Sequence, residues 1–299
     1  MLEAELRMRK KETFTNELKP IPYGSIPKIL LVGNGLNLSY GYQSCKDVCR
    51  GDDMPFPMQI VVSSEDSVDE QMKNIAVEFQ NYQVSNEQKA LLNEMLETPI
   101  DAILTTNYSL EIEKSVLDKC DRCAMRRFEK RSQYGTSQQE QFRLFQTCEL
   151  PTEQKQELWH IHGNANYPNS MIMGHYYYGK LLSEIIAYVP NLIRRYRGCN
   201  QHGKDYMPRS WIDYFLLGDV HIVGMGMDLA EMDLWWLICC KKRNFPDRKI
   251  YFYEPENADA PKHQLMRNYG VDVVTDIPFD GDYPKYYRTI FNQLKNGNK

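Results

Sequence analysis

The residues whose types and spacing could do chemistry lie in four short segments, each a glycine, asparagine or histidine directly after an apolar run. The first is residues 28–41, KILLVGNGLNLSYG, where Gly33 and Gly35 follow the run 29–32 and a polar turn carries Asn34, Asn37 and Ser39. A glycine pair at that point lets the backbone turn sharply and approach a ligand closely. A helix starting there points its N–H groups at an anion, so the expected chemistry is the binding of a nucleotide diphosphate. The dinucleotide fingerprint G-x-G-x-x-G is broken by Leu38, and no Gly-Lys-Ser/Thr follows. A tight turn with no ligand is the alternative.

The other segments are ILTTNY, with Thr106 and Asn107, then WHIHGN, with His162 before Gly163, and HIVGMGMDLAEMD, with Gly224, Gly226 and Asp228. Of six histidines, only His162 follows an apolar run and precedes a glycine. An imidazole titrates near neutral pH and suits a general base, and an asparagine amide can hold a water in place. Plainer roles stand beside these. His162 could be satisfied by backbone groups, Asn107 could close a strand or cap a helix, and Asp228 and Glu231 could cap the helix that contains Asp233. His160 is expected to face a helix layer and His221 to be hydrogen-bonded within a strand, while His175, His202 and His263 carry no signal.

Six short apolar runs must position these groups: 29–32, 100–104, 158–161, 219–223, 249–253 and 271–275. Runs of this length without alternation indicate strands buried on both faces. Between them lie helical patterns: residues 67–97, broken into two with Ser85 as N-cap of the second, then 110–117, 231–240, 263–269 closed by Gly270, and 283–294. Residues 164–217 are tyrosine-rich and mostly helical, with a stripe of Leu181, Leu182, Ile185, Ile186 and Val189. The fold class is therefore α/β, a Rossmann-like doubly wound, mostly parallel six-stranded sheet. Residues 1–27 form an N-terminal arm with a polar helix, and 28–299 one domain with helical insertions at about 42–98, 110–157 and 164–217. Because ligands bind beyond the carboxyl ends of parallel strands, the four segments converge on one mouth.

Composition narrows the classes. The chain has 299 residues, a formal net charge of −4 and 25% charged residues, which disfavours a nucleic-acid or anionic-membrane surface. No apolar run reaches the length of a membrane span, and the mixed-charge N-terminus is unlike a signal peptide, so a cytoplasmic location is expected. Eight cysteines include a single C-x-x-C, Cys120 and Cys123, too few for a four-cysteine zinc site; free thiols and no metal are expected.

Taken together, GNGLNLSYG, TTNY, HIHGN and GMGMD resemble the sirtuin-like (silent-information-regulator-like) superfamily, closest in pattern to the domains of bacterial antiphage defence. The resemblance covers residues 28–276. The abortive-infection AbiH family has a similar opening glycine motif and HIHG. The resemblance implies an NAD diphosphate on Gly33, Asn34 and Gly35, Asn107 beside the nicotinamide ribose holding water, His162 as catalytic base, and Gly224–Gly226 against the adenosine half. Asn37, Thr106 and Asp228 join the expected NAD-contacting set. Sirtuin deacylases carry a four-cysteine zinc ribbon after the histidine, which is missing here. The family's aspartate after TTNY is Ser109, and a serine common after the later glycine is Gly226.

The expected activity is hydrolysis of NAD+, as substrate, to nicotinamide and ADP-ribose, depleting NAD in an infected cell. Alternatives are a protein deacylase or ADP-ribosyltransferase, a non-catalytic NAD or ADP-ribose sensor, and an interaction module using the tyrosine-rich insertion and the arm. A homo-oligomer, a defence-system partner or an activating signal is expected to restrain the activity.

Overall fold

The computed structural model describes residues 18–42, 67–116, 125–127, 146–150, 152, 156–255 and 260–297. All six apolar runs form strands: β1 (Lys28–Val32), β2 (Ala102–Thr105), β5 (Glu157–His160), β6 (Asp219–Val223), β7 (Ile250–Tyr253) and β8 (Asp272–Val274). They make a parallel sheet in the order β5-β2-β1-β6-β7-β8. Two further strands, β3 (Met125–Arg127) and β4 (Gln146–Glu149), extend the β5 edge in antiparallel fashion, so the sheet has eight strands rather than six. They lie inside the charged stretch 118–157, where short polar strands leave no hydrophobic pattern to read.

β1 is buried on both faces, and its alternation divides the core. Ile29 and Leu31 join one cluster with α5 (Gly174–Gln201), α6 (Trp211–Leu217) and α7 (Met232–Asn244). Leu30 and Val32 join a second with α3 (Asn86–Leu96) and α9 (Tyr283–Lys295). A third cluster packs α2 (Val68–Gln80), through Met72, Ile75, Ala76 and Phe79, over Tyr108, Ala165, Met171 and Met173. α1 (Gly35–Leu38), α4 (Glu111–Val116) and α8 (Ala260–Asn268) complete the α-helices of the described residues, and Pro168–Ser170 form a 3-10 turn. Ser85 caps α3 by accepting from the Gln88 N–H at 3.2 Å, and Gly270 has φ of 84° after α8, as their residue types require.

Along α5 the buried stripe is Leu181, Ile185, Val189 and Leu192, whereas Ile186 is exposed and Leu182 half-buried. One face of a 28-residue helix spaced by three and four leaves room for only one row against the sheet. Leu18 and Ile21 are buried in the same cluster, and Ile21 bridges Tyr206. The expected helix of the arm, Cys45, Cys49 and the Cys120–Cys123 pair fall outside the described residues. Cys199, Cys239 and Cys240 are free thiols. Among the described residues no helix is long and apolar enough to cross a membrane.

The path through the sheet sets the site. From β1 the chain passes to β2, crosses to the edge at β3 and comes back through β4 to β5 beside β2, then returns to the other side of β1 and runs outward through β6, β7 and β8. The strand order reverses between β1 and β6, the position at which open parallel sheets form a crevice. The register puts Val32 beside both Thr105 and Val223, so the turns after β1, β2 and β6 open at one level.

Candidate active site

A cavity of about 600 Å³ opens at that crevice, within the range of small-molecule sites. Asn34, Gly35, Thr106, Asn107, His162, Gly224, Gly226 and Asp228 line it, eight of the ten positions singled out from sequence. Gly33 and Asn37 stand off the wall. A Cβ on Gly33 would lie 2.6 Å from the Gly224 carbonyl oxygen, and one on Gly35 would lie 2.7 Å from the same oxygen. The Gly35 N–H donates to that oxygen. The opening glycine pair is thus required where the β1 and β6 turns press together. Gly226 differs: a Cβ there would meet nothing within 4 Å, so its bareness keeps the cavity clear.

Asn37 is fully buried beneath the turn. Its Nδ2 donates to Asn34 Oδ1 at 2.9 Å and to Glu111 Oε1 at 3.2 Å, and its Oδ1 accepts from Gln88 Nε2 at 2.8 Å. Glu111 is the hub. Its Oε1 also accepts from Asn107 Nδ2 at 2.6 Å, and its Oε2 from the Ser109 hydroxyl at 2.7 Å. Burial pushes its carboxyl above the usual carboxylate range, against the pull of the hydrogen bonds from Ser109, Asn107 and Asn37.

Asn107 sits after β2, where its N–H donates to Thr105 Oγ1 and its carbonyl meets His160 Nδ1 at 2.9 Å. His160 Nε2 lies 2.8 Å from Glu113 Oε1 on α4, so the ring does face a helix, as the strand alternation implies. Both ring nitrogens face acceptors and both must carry protons. Burial alone would lower the His160 pKa, but the charge and hydrogen bond of Glu113, with the Asn107 carbonyl and the Glu111 charge, together raise it to about 9. His221 is the opposite case: within β6, bonded to the Tyr253 hydroxyl at 2.9 Å and stacked on Tyr251, it is driven down to about 4 by burial.

His162 follows β5 and is buried. Gly163, with φ of 79°, reverses the chain against Ser170, whose carbonyl would be 2.1 Å from a Cβ. His162 Nε2 lies 2.9 Å from Asp233 Oδ2, while Nδ1 lies 3.8 Å from Glu231 Oε2. The Nε2 proton is donated to Asp233, so in the neutral ring Nδ1 is the nitrogen that accepts a proton. Tyr178 stands edge-on to the ring and donates to Glu231 Oε2 at 3.1 Å. Neither acid is a cap. Glu231 holds the N-cap position of α7 with no side-chain capping bond, and Asp233 turns inward, whereas Asp228 does accept from the Ala230 N–H. Burial, and the neighbouring Asp233 and Asp228, raise Glu231 to about 7 despite His162.

His162, Glu231 and Asp233 are the one group of three potential metal ligands among the described residues, their ligand atoms within 4.8 Å of one another. Asp233 faces one ring nitrogen and Glu231 the other, and these nitrogens diverge. As it stands, the arrangement is an imidazole held between two carboxylates.

The far wall is aromatic: Tyr253 at the end of β7, with Tyr283, Tyr286 and Tyr287 from α9. The Tyr286 hydroxyl is buried with no hydrogen-bond partner among the described residues. Glu254, also on the wall, accepts from Lys262 at 2.8 Å and lies 2.6 Å from His263 Nε2. Among the described residues the lining carries Asp228, Glu231 and Glu254 and neither lysine nor arginine, although Lys262 reaches the Gly226 carbonyl at 3.0 Å. Glu111, Asp233 and the Glu254–His263 pair were not identifiable as site elements from sequence. A comparison with protein-family models finds no match, and a comparison with curated proteins finds none either.

Proposed function

We propose that this protein hydrolyses NAD+ at the bond between nicotinamide and ribose, releasing nicotinamide and ADP-ribose. The observation that carries the reading is the convergence of two glycine turns, Asn107 and an acid-flanked His162 on one cavity at the switch point of the sheet. The turns after β1 and β6 offer backbone to a diphosphate, and the tyrosines of α9 and β7 offer faces to a base.

In this reading the substrate's pyridinium is already a good leaving group. A water oxygen bonds to the ribose C1′ as the glycosidic C–N bond breaks, and that bond's electron pair neutralises the nicotinamide nitrogen. Asn107 Oδ1 holds the water, and His162 Nδ1 takes its proton, a contribution of about 10²–10⁴-fold for a positioned base. Glu231 and Asp233 stabilise the resulting imidazolium. The carboxylates of Glu231 and Asp233 beside His162 favour a substrate carrying positive charge at its reacting end. The sequence resemblance to sirtuin-like defence domains supports the same chemistry and a role in NAD depletion, with a further copy, a partner or a signal restraining it.

The test is NAD+ consumption by the purified protein beside His162→Ala and Asn107→Ala, with nicotinamide and ADP-ribose separated. Turnover by the wild type without added peptide, lost in both variants, is the expected result. Turnover that requires a peptide acceptor would replace hydrolysis by transfer. Stoichiometric binding without turnover, with every candidate activator tried, would leave a sensor.

A further inference from the structure

Glu111 is a fully buried carboxylate, 1% exposed, that reaches no cation within hydrogen-bonding distance among the described residues. Its side-chain partners are instead three neutral donors from two different segments: Asn37 below the β1 turn, and Asn107 and Ser109 after β2. Burying an anion this way is costly unless its lone pairs are filled, and three donors fill them here.

The consequence falls on Asn107. A carboxamide has two donor hydrogens and one acceptor oxygen. Asn107 Nδ2 gives its hydrogens to Glu111 Oε1 at 2.6 Å and to the Gly33 carbonyl at 3.4 Å. Both donors are spent on the protein, so the face Asn107 keeps for the cavity is Oδ1. Without Glu111, the amide could rotate by half a turn and offer N–H groups instead. Asn37 is held by the same oxygen, and Gln88, itself bonded to Tyr82, fixes its other end. These bonds tie the amide to α3 and α4.

We infer that Glu111 is a positioning residue that locks the Asn107 amide with its oxygen towards the cavity, and so makes that point of the site an acceptor for a water or a ribose hydroxyl. The kinetic part rests on the hydrolase reading above; the orientation of the amide does not.

Two substitutions separate position from charge. Glu111→Gln keeps the length: its Oε1 accepts from Asn37 and Asn107 while its Nε2 donates to the Ser109 hydroxyl. Glu111→Asp keeps the charge and withdraws it by one methylene. Protein labelled with 15N at asparagine, free of ligand, is compared by NMR, the Asn107 and Asn37 side-chain signals being assigned by their loss in Asn107→Ser and Asn37→Ser. The Asn107 pair should be slow to exchange with water in the wild type and in Glu111→Gln, and should exchange faster in Glu111→Asp by about tenfold or more as its partner recedes. Equal exchange in all three would overturn the inference whether or not the protein turns over NAD+.

In turnover, Glu111→Gln should keep kcat within about tenfold of the wild type. Glu111→Asp should lose about 100-fold in kcat with KM within about threefold, the effect expected of a misplaced group that acts on the reacting water. A larger loss in Glu111→Gln than in Glu111→Asp would make the charge, and not the orientation, the contribution of this residue. A wild type that hydrolyses no NAD+ while the exchange pattern holds would refute the hydrolase and leave the locked amide standing.

Discussion

His162 and Asp233 are 71 residues apart in the chain and 2.9 Å apart in the fold, the imidazole arriving from the end of β5 and the carboxylate from the first turn of α7. An aspartate on Nε2 selects the tautomer in which Nδ1 can receive a proton. Asp233→Asn should therefore leave the fold in place and lower kcat by about 10²-fold or more, since the amide can present a donor where an acceptor is needed. Steady-state NAD+ turnover and the ring 15N shifts of His162 check this together. An unchanged Nε2–H signature would refute the role assigned to Asp233.

Glu231 gives the site a titration near neutrality. Its carboxyl, raised to about 7 by burial, is neutral in acid and charged above that pH. If its charge supports the imidazolium, kcat should climb as pH rises through about 7, with an apparent pKa that belongs to the Glu231–His162 pair. Glu231→Gln should shift that limb by roughly one unit and lower its plateau. A pH profile identical to the wild type's would separate Glu231 from the chemistry.

Gly33 and Gly226 should behave oppositely. Gly33→Ala forces a methyl to 2.6 Å from the Gly224 carbonyl and into Met225, and should cost about 1–3 kcal/mol in urea unfolding. A Cβ at Gly226 would meet nothing within 4 Å, so Gly226→Val should keep stability within about 1 kcal/mol while weakening NAD+ binding by calorimetry. Loss of binding in neither variant would mean that the cavity between the turns is not the ligand site.

Two buried histidines shape stability against pH in opposite senses. His160, raised from 6.5 to about 9, binds a proton in the fold that the unfolded chain has lost, so its contribution is full below pH 6.5 and disappears towards pH 9. His221, lowered to about 4, is neutral in the fold, so its contribution is present above pH 6.5 and disappears as pH falls towards 4. Between them, stability from these groups peaks near pH 6.5. In urea titrations, His160→Gln should flatten the alkaline limb, worth roughly 3 kcal/mol at full shift, and His221→Gln the acid limb. A slope unchanged by His160→Gln would mean that the ring is not an imidazolium at neutral pH.

The frame of the site was legible because its signals are local. Four apolar residues followed by Gly33 and Gly35 specify a buried strand and a tight turn, and Ser85 and Gly270 mark helix ends by their own backbone chemistry. The carboxylates were not legible. Glu111, Glu113 and Asp233 all fall in the first turn of a helix, where an acid ordinarily faces water and complements the helix dipole. Only the tertiary packing distinguishes an inward acid from an outward one. The glycine motif was legible as a turn, while its packing partner, Gly224, lay almost two hundred residues away.

The reversal of strand order between β1 and β6 also decides when the site can exist. β1, β2 and β5 carry Asn107, Glu111 and His162, whereas Asp233, Glu231 and the second glycine turn arrive with β6 and α7. The seam between the halves is the parallel pairing of Lys28 with Asp219 through Val32 with Val223, the longest-range strand pairing in the sheet. Loop-closure entropy makes such a pairing the most costly in the sheet to close. A nascent chain whose first half has already collapsed holds its imidazole without the acids that set its tautomer. The reactive constellation is thus complete only once the β1–β6 seam has closed.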